Sequence, residues 1–259
     1  EVRMEVAVLG AGNWGTTLAL LLSKKGHKVV LWEYFPPRVE RIARERENRD
    51  FLPGLHIPEE IAITSDLALV RGSELVFFAL PSQVVRSCAR LLAKAEPKSP
   101  ILVSVAKGIE NSTLKRMSEI LREEVPASRR GGICVLSGPC IANEVAKGMP
   151  TTVVASSVDE RVSRTVQEAM MGPRFRVYMN SDTVGVELGG ALKNIIAIAA
   201  GVCDGLGLGA NAKGALLTRG LAEITRLGVA LGAEPTTFAG LSGMGDLITT
   251  CFSPHSRNR

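Results

Sequence analysis

The sequence predicts an α/β protein: a doubly wound, mostly parallel sheet followed by an all-helical second domain. Three observations predict it. Over the first two thirds of the 259 residues, short β-branched and apolar runs alternate with helical patterns, as in successive βαβ units. The first apolar run leads into a glycine-spaced turn, Gly10-Ala11-Gly12-Asn13-Trp14-Gly15, that opens a helical pattern. From Asp182 onward the strand pattern stops and long helical patterns remain.

In chain order, period-two or continuous apolar runs predict strands at 5–9, 28–32, 75–79, 101–105, 134–137, 151–155 and 174–178. Helical spacing fills the intervals at 14–25, 38–48, 84–95, 111–123, 141–147 and 159–170. Beyond them come helices at 184–204 and 212–231 and a helical turn at 235–240. The change of pattern places a boundary at Asn180-Ser181, giving domains 1–180 and 181–259.

Composition narrows the class. A hydrophobic fraction of 46% and a charged fraction of 22% are those of a globular protein. No uncharged apolar run reaches the roughly 18 residues of a membrane span, and the N-terminus does not read as a secretory leader. The net charge of +5 is spread out, with Lys24-Lys25 and Arg129-Arg130 as short clusters, so it suits a small anionic ligand and gives no reason to expect nucleic acid. The five cysteines are dispersed, odd in number and without a C-x-x-C pair. They predict free thiols in a reducing cytoplasm and no metal site.

The turn at 10–15 has the spacing G-x-G-x-x-G between a strand and a helix. Gly10 permits the tight turn, Gly12 lets the backbone approach a pyrophosphate, and Gly15 permits close helix packing. The helix N-terminus directs free N–H groups at the anion. Glu33 ends the second strand, 23 residues after Gly10. A carboxylate there accepts from an adenine ribose 2′-hydroxyl and repels a 2′-phosphate. With no arginine next to Glu33 in the sequence, the expected cofactor is NAD or NADP with NAD favoured, on a Rossmann-type sheet.

A second group of residues carries chemistry. The run 191–200 has eight apolar residues in ten around Lys193-Asn194, which predicts a helix buried on every side. An ammonium there needs a partner or a task. Lys107, in Ala106-Lys107-Gly108-Ile109-Glu110, projects from the carboxyl end of a strand, and Gly138-Pro139-Cys140 leaves the next one. In open α/β sheets that edge faces the ligand crevice. Asp246, in the run 241–251 that also holds Thr250, is placed to pair with a buried amine such as Lys193. Ser256-Arg257-Asn258 supplies a guanidinium fork suited to phosphate oxygens.

Taken together, G-A-G-N-W-G at 10–15, A-K-G-I-E at 106–110, S-G-P at 137–139, V-E-L-G-G-A-L-K-N at 186–194, G-A-N-A at 209–212, G-D-L at 245–247 and S-R-N-R at 256–259 resemble the bacterial-type NAD(P)-dependent glycerol-3-phosphate dehydrogenases over essentially the whole chain. The resemblance implies reversible reduction of dihydroxyacetone phosphate to sn-glycerol 3-phosphate, in the service of glycerophospholipid synthesis, and it is compatible with a homodimer. It implies Lys193 as proton donor and acceptor, with Lys107, Asp246 and Asn194 in the catalytic group. Substrate contacts fall to Lys107, Gly138, Cys140, Lys193, Asp246, Thr250, Ser256, Arg257 and Asn258. Cofactor contacts fall to Gly10, Gly12, Asn13, Trp14, Gly15, Glu33, Tyr34, Lys107, Ala142 and Arg257. The family usually has serine or threonine where Cys140 stands, so a hydroxyl contact there is replaced by a thiol. A β-hydroxyacid or ketoacid reductase, or a dinucleotide sensor without turnover, is the alternative on the same architecture.

Overall fold

The computed structural model describes residues 3–253. Its strands are β1 (Glu5–Leu9), β2 (Lys28–Trp32), β3 (Glu47–Asn48), β4 (Leu52–His56), β5 (Ala62–Thr64), β6 (Leu75–Phe78), β7 (Ile101–Ser104), β8 (Gly132–Ser137), β9 (Thr151–Ser156) and β10 (Phe175–Asn180). Its helices are α1 (Asn13–Lys24), α2 (Pro36–Glu45), α3 (Val85–Lys94), α4 (Met117–Glu124), α5 (Ala142–Ala146), α6 (Glu160–Met170), α7 (Thr183–Gly205), α8 (Gly209–Ala230), α9 (Pro235–Phe238) and α10 (Asp246–Phe252).

Eight strands form one sheet in the order β10-β9-β8-β7-β6-β1-β2-β5. Neighbours run parallel except β8 and β9, which are antiparallel. The chain winds outward from β1 to β2 and β5, then returns to the other side of β1 with β6. The turn after β1 therefore opens at the point where the winding reverses, the usual ligand crevice of such sheets. Alternation along β1 sends Val6 and Val8 into the core layer shared with Leu18 and Leu22 of α1. Ala7 and Leu9 go to the opposite layer, with Ala89 and Leu92 of α3 and Ile120 and Leu121 of α4. The sheet is covered on both faces, which is why its strands read as nearly continuous apolar runs.

Three predicted segments are corrected. The helix expected at 38–48 stops at Glu45, because Arg46 takes a left-handed conformation (φ 48°, ψ 35°) and β3 then pairs with β4. β4 contains Pro53 and Gly54, turn residues that hide a strand, and β5 is a three-residue edge. The helix expected at 111–123 starts at Met117. Its first turn is capped from outside: Glu187 on α7 accepts from Ser118 N (2.8 Å), Ser118 Oγ (2.6 Å) and Arg116 Nη1 (2.7 Å). The turn at 235–240 ends at Phe238, a π-helical turn occupies Leu241–Gly245, and α10 follows. Such turns recur at functional sites.

α7 is not buried on every side. Ile195, Ile198, Val202 and Leu206 are exposed among the described residues, while Glu187, Gly189, Gly190 and Lys193 face inward. By length and composition α7 is apolar enough to cross a membrane, yet here it packs on α8, α10 and β8. Its approach to the sheet depends on two glycines. A Cβ at Gly189 would sit 2.6 Å from the Ser242 carbonyl oxygen, and one at Gly190 would sit 2.8 Å from Ser137 Oγ.

Glu187 therefore ties the helical part to the sheet part. Replacing Glu187 by alanine leaves Ser118 N and Arg116 short of a buried carboxylate and is expected to cost about 2–4 kcal/mol. Urea unfolding of the variant measures this, and a loss near zero would show that the contact is dispensable.

Candidate active site

The site is assembled at the carboxyl ends of β1, β2, β7 and β8, with α7 and α10 closing over it. Gly10 has φ +107°, and a Cβ there would lie 2.5 Å from the Ala79 carbonyl oxygen. A Cβ on Gly15 would lie 1.9 Å from the Gly10 carbonyl oxygen. Both positions exclude any other residue without rearrangement. At Gly12 nothing lies within 4 Å of the same position, so the turn is open on the side where a pyrophosphate would approach. No side chain caps α1, and the buried Asn13 Oδ1 has no hydrogen-bond partner. These features of the turn at Gly10 to Gly15 fit a dinucleotide.

The turn is pinned from two sides. Ala11 N donates to Glu33 Oε2 (3.2 Å), and the Ala11 carbonyl accepts from Asn48 Nδ2 (2.8 Å), which also donates to Thr16 Oγ1 (2.8 Å). Glu33 is 5% exposed, and its other oxygen accepts from Phe35 N (3.2 Å). Much of its carboxylate is thus committed to shaping the turn. No arginine is next to Glu33 in the sequence, yet α2 brings Arg38 Nη1 to 3.3 Å from Glu33 Oε1 in space. The reason is that helical spacing, not sequence adjacency, sets who meets a strand end. Tyr34 is exposed beside this corner. Ala142 opens α5, which lies against α1 through Thr17 Oγ1 donating to the Ala142 carbonyl (3.3 Å).

At the other end three charges meet. Lys193 on α7 is 6% exposed, and its Nζ donates to Asp246 Oδ1 and to Thr250 Oγ1 (2.7 Å). Lys107 Nζ donates to Asp246 Oδ2 (2.6 Å), to the Gly138 carbonyl (3.0 Å) and, more weakly, to Cys140 Sγ (3.7 Å). Thr250 passes its own hydrogen back to the Asp246 carbonyl (2.7 Å). One carboxylate thus bridges two ammonium groups from distant parts of the chain. Burial lowers the pKa of Lys193, Lys107 lowers it further, and Asp246 only partly offsets them, so it falls to about 8. Burial also disfavours the Lys107 ammonium, but Asp246 and Cys140 together act against it and the net direction is upward. Burial pushes the Cys140 thiol up, with Lys107 working against it.

The structure brings Lys107, Gly138, Cys140, Lys193, Asp246 and Thr250 into one cluster, with Asn194 next to Lys193 on α7. Ser256, Arg257 and Asn258 lie outside the described residues. Two positioning contacts escaped the sequence reading. Arg86 on α3 grips Glu110 through Nε (2.8 Å to Oε1) and Nη2 (2.8 Å to Oε2), which fixes the loop carrying Lys107 and holds the Glu110 carboxyl at about 2. Glu110 stood in a quoted motif without a role. Asn48 had no signal, because its stretch read as the end of a helix.

A family model for the N-terminus of NAD-dependent glycerol-3-phosphate dehydrogenases matches residues 5–163, and one for their C-terminus matches residues 182–259. The chain belongs to this family. A relative in Citrifermentans bemidjiense named glycerol-3-phosphate dehydrogenase (NAD(P)+) is 56% identical over 256 residues, covering 98% of this chain and 76% of the relative. One of the same name in Moorella thermoacetica is 52% identical, covering 100% and 76%. The crystal structure of glycerol-3-phosphate dehydrogenase from Coxiella burnetii superposes with a TM-score of 0.93 at 38% identity, covering 99% of this chain and 78% of that one. The sheet and the helical C-terminal domain are thus those of the glycerol-3-phosphate dehydrogenases.

Asn48 gives a test of how the glycine turn is held. Asn48→Ala removes both donors at a site 1% exposed and leaves the Ala11 carbonyl unsatisfied, a loss of about 1–3 kcal/mol. The dissociation constant for NADH, followed by fluorescence quenching, is expected to rise. An unchanged constant in a merely less stable protein would contradict the pinning role.

Proposed function

We propose that this chain catalyses the reversible, NAD(P)H-dependent reduction of dihydroxyacetone phosphate to sn-glycerol 3-phosphate. The observation that carries the reading is the Lys107-Asp246-Lys193 cluster facing the crevice beyond the glycine turn. The cofactor supplies and accepts the hydride. The chain's part is to hold the ketone near that group, to exclude water and to move one proton. Lys193 protonates the oxygen that gains charge as the ketone is reduced and takes the hydroxyl proton in the other direction. Asp246 and Thr250 fix the direction of its Nζ. Lys107 brings a second positive charge that polarises the carbonyl and lowers the pKa of Lys193. Asn194 orients substrate hydroxyls.

Two ammonium groups against one carboxylate leave the cluster one positive charge in excess, which favours a phosphate ester over a neutral ketone. Ser256, Arg257 and Asn258 anchor that phosphate by family resemblance, and Cys140 offers its backbone and a thiol near Gly138. The division at 180/181 gives a dinucleotide domain and a helical substrate domain. It is supported by the break between the two family-model matches and by the change from strand to helix. The dispersed free thiols support a cytoplasmic protein, and the modest, spread net charge supports a small anionic substrate rather than nucleic acid.

Oxidation of NADH and NADPH with dihydroxyacetone phosphate, against unphosphorylated dihydroxyacetone, tests the assignment. Turnover requiring the phosphate supports it, whereas preference for a carboxylate substrate would favour a hydroxyacid reductase. Lys193→Ala is expected to lower kcat by about a hundredfold to ten-thousandfold with a smaller effect on KM. Ketone reduction needs the Lys193 ammonium, so its kcat falls as pH rises through about 8, whereas the reverse oxidation rises over the same range. Asp246→Asn removes the group that favours the ammonium, so both limbs should move to lower pH. Profiles left in place by Asp246→Asn would assign the titration to another group.

A further inference from the structure

Lys213 is another buried ammonium, and the proton chemistry does not use it. It stands near the start of α8, directly after the G-A-N-A run at 209–212. At 6% exposure it is costly to keep charged without partners. Gly207 and Gly209, with φ +66° and +78°, turn the chain from α7 into α8, which packs back on α7. Lys213 Nζ then donates to both oxygens of Asp204 in the last turn of α7 (3.1 and 2.8 Å). The same Nζ lies 4.5 Å from the ring centroid of Phe252, the last residue of α10. One ammonium on α8 thus grips the ends of two other helices.

α10 needs such a grip. It has seven residues, too few to hold a helix by themselves. The fully buried part of its apolar contact is small: Leu247 and Cys251 against Ala197 and Ala200 of α7. The π-helical turn Leu241–Gly245 fixes its first end, and Lys213 meets the other. Between the two ends lie Asp246 and Thr250, both acceptors of Lys193 Nζ. The Cys251 thiol, next to Thr250 and 1% exposed, lies within electrostatic reach of both Lys193 and Lys213. The Lys213-Asp204 pair is neutral in sum, so it holds α10 without adding to the charge of the catalytic cluster. We propose that Lys213 is a positioning residue for the Lys193 proton: it clamps the end of α10 and so keeps Asp246 and Thr250 aimed at Lys193 Nζ. The proposal rests on the dehydrogenase reading above.

The test is reduction of dihydroxyacetone phosphate by NADH as a function of pH, with thermal melting of each variant alongside. Lys193 is faced by Asp246 from α10, Lys107 from the loop after β7 and Cys140 from the loop after β8. Asp246 is the carboxylate that favours the ammonium, so a loosened α10 moves the alkaline fall of kcat from about 8 to lower pH. Lys213→Met, which keeps the stem and removes the charge, is expected to show that shift with KM for NADH unmoved. Its kcat should fall by about threefold to thirtyfold, the worth of one cation–π contact. Phe252→Leu removes the ring alone, at an exposed position and with Asp204 still paired to Lys213, and is expected to act in the same direction more weakly. Phe252→Tyr, which keeps an aromatic face for Nζ, should restore the unsubstituted profile. A lower melting temperature with kcat and its pH profile unmoved would make the clamp a structural joint and overturn the role. A shift of the Lys213→Met profile to higher pH would overturn it too, because that is the sign of losing a distant positive charge. Absence of turnover in the unsubstituted chain would overturn the dehydrogenase reading along with it.

Discussion

The carboxylate of Asp246 is the constraint on which the site depends. It lies 2% exposed between two ammonium groups, one delivered by the loop after β7 and one by α7. Without it, two like charges would share a poorly solvated volume, and one of them would lose its proton. With it, the pair is held at one excess positive charge and Lys193 is poised near neutrality. The carboxylate is itself placed by the π-helical turn Leu241–Gly245, which passes so close to α9 that a Cβ on Gly243 would lie 2.1 Å from the Phe238 carbonyl oxygen. Backbone geometry in a glycine-rich stretch thus sets the protonation behaviour of a side chain 53 residues earlier.

The parallel sheet was legible because its strands are buried on both faces and carry their own signal. β1 and β2 match the expected limits, since apolar runs there are bounded by a glycine turn and by charged residues. The hairpin of β3 and β4 was not legible. Its partner strand contains Pro53 and Gly54, and the event that ends α2 is a left-handed Arg46, a conformation with no sequence mark. The late start of α4 has a similar origin. Its cap is the Glu187 carboxylate, which reaches it across 69 residues of chain and is invisible to any local rule.

For the site, residue types in motifs were enough to collect Lys107, Gly138, Cys140, Lys193, Asp246 and Thr250, and the structure brings them together. What spacing could not supply was the second contact of each group. Glu33 reads as a ligand acceptor, yet its oxygens also hold Ala11 and Phe35. Arg38 sits five residues further on and meets Glu33 only because α2 turns it back. Asn48 and the Arg86-Glu110 fork act through backbone and loop, and their meaning exists only once distant elements are packed.

α7 shows why composition misled about burial. Glu187, Gly190 and Lys193 recur at intervals of three and share one stripe. That stripe is buried, as are the apolar Val186, Leu188, Ala197 and Ala200, while the apolar stripe of Ile195, Ile198, Val202 and the following Leu206 is exposed. Ordinary amphipathic reasoning expects neither the buried charges nor the exposed isoleucines. The charges inside follow from what the inner face must do. The carboxylate caps α4, the glycine lets the helix reach Ser137, and the ammonium meets Asp246. Because all three lie on one rigid helix, seating α7 against the sheet and aiming the Lys193 proton at the crevice are a single event. A shift of the helix that spoiled the Glu187 cap would displace the acid as well.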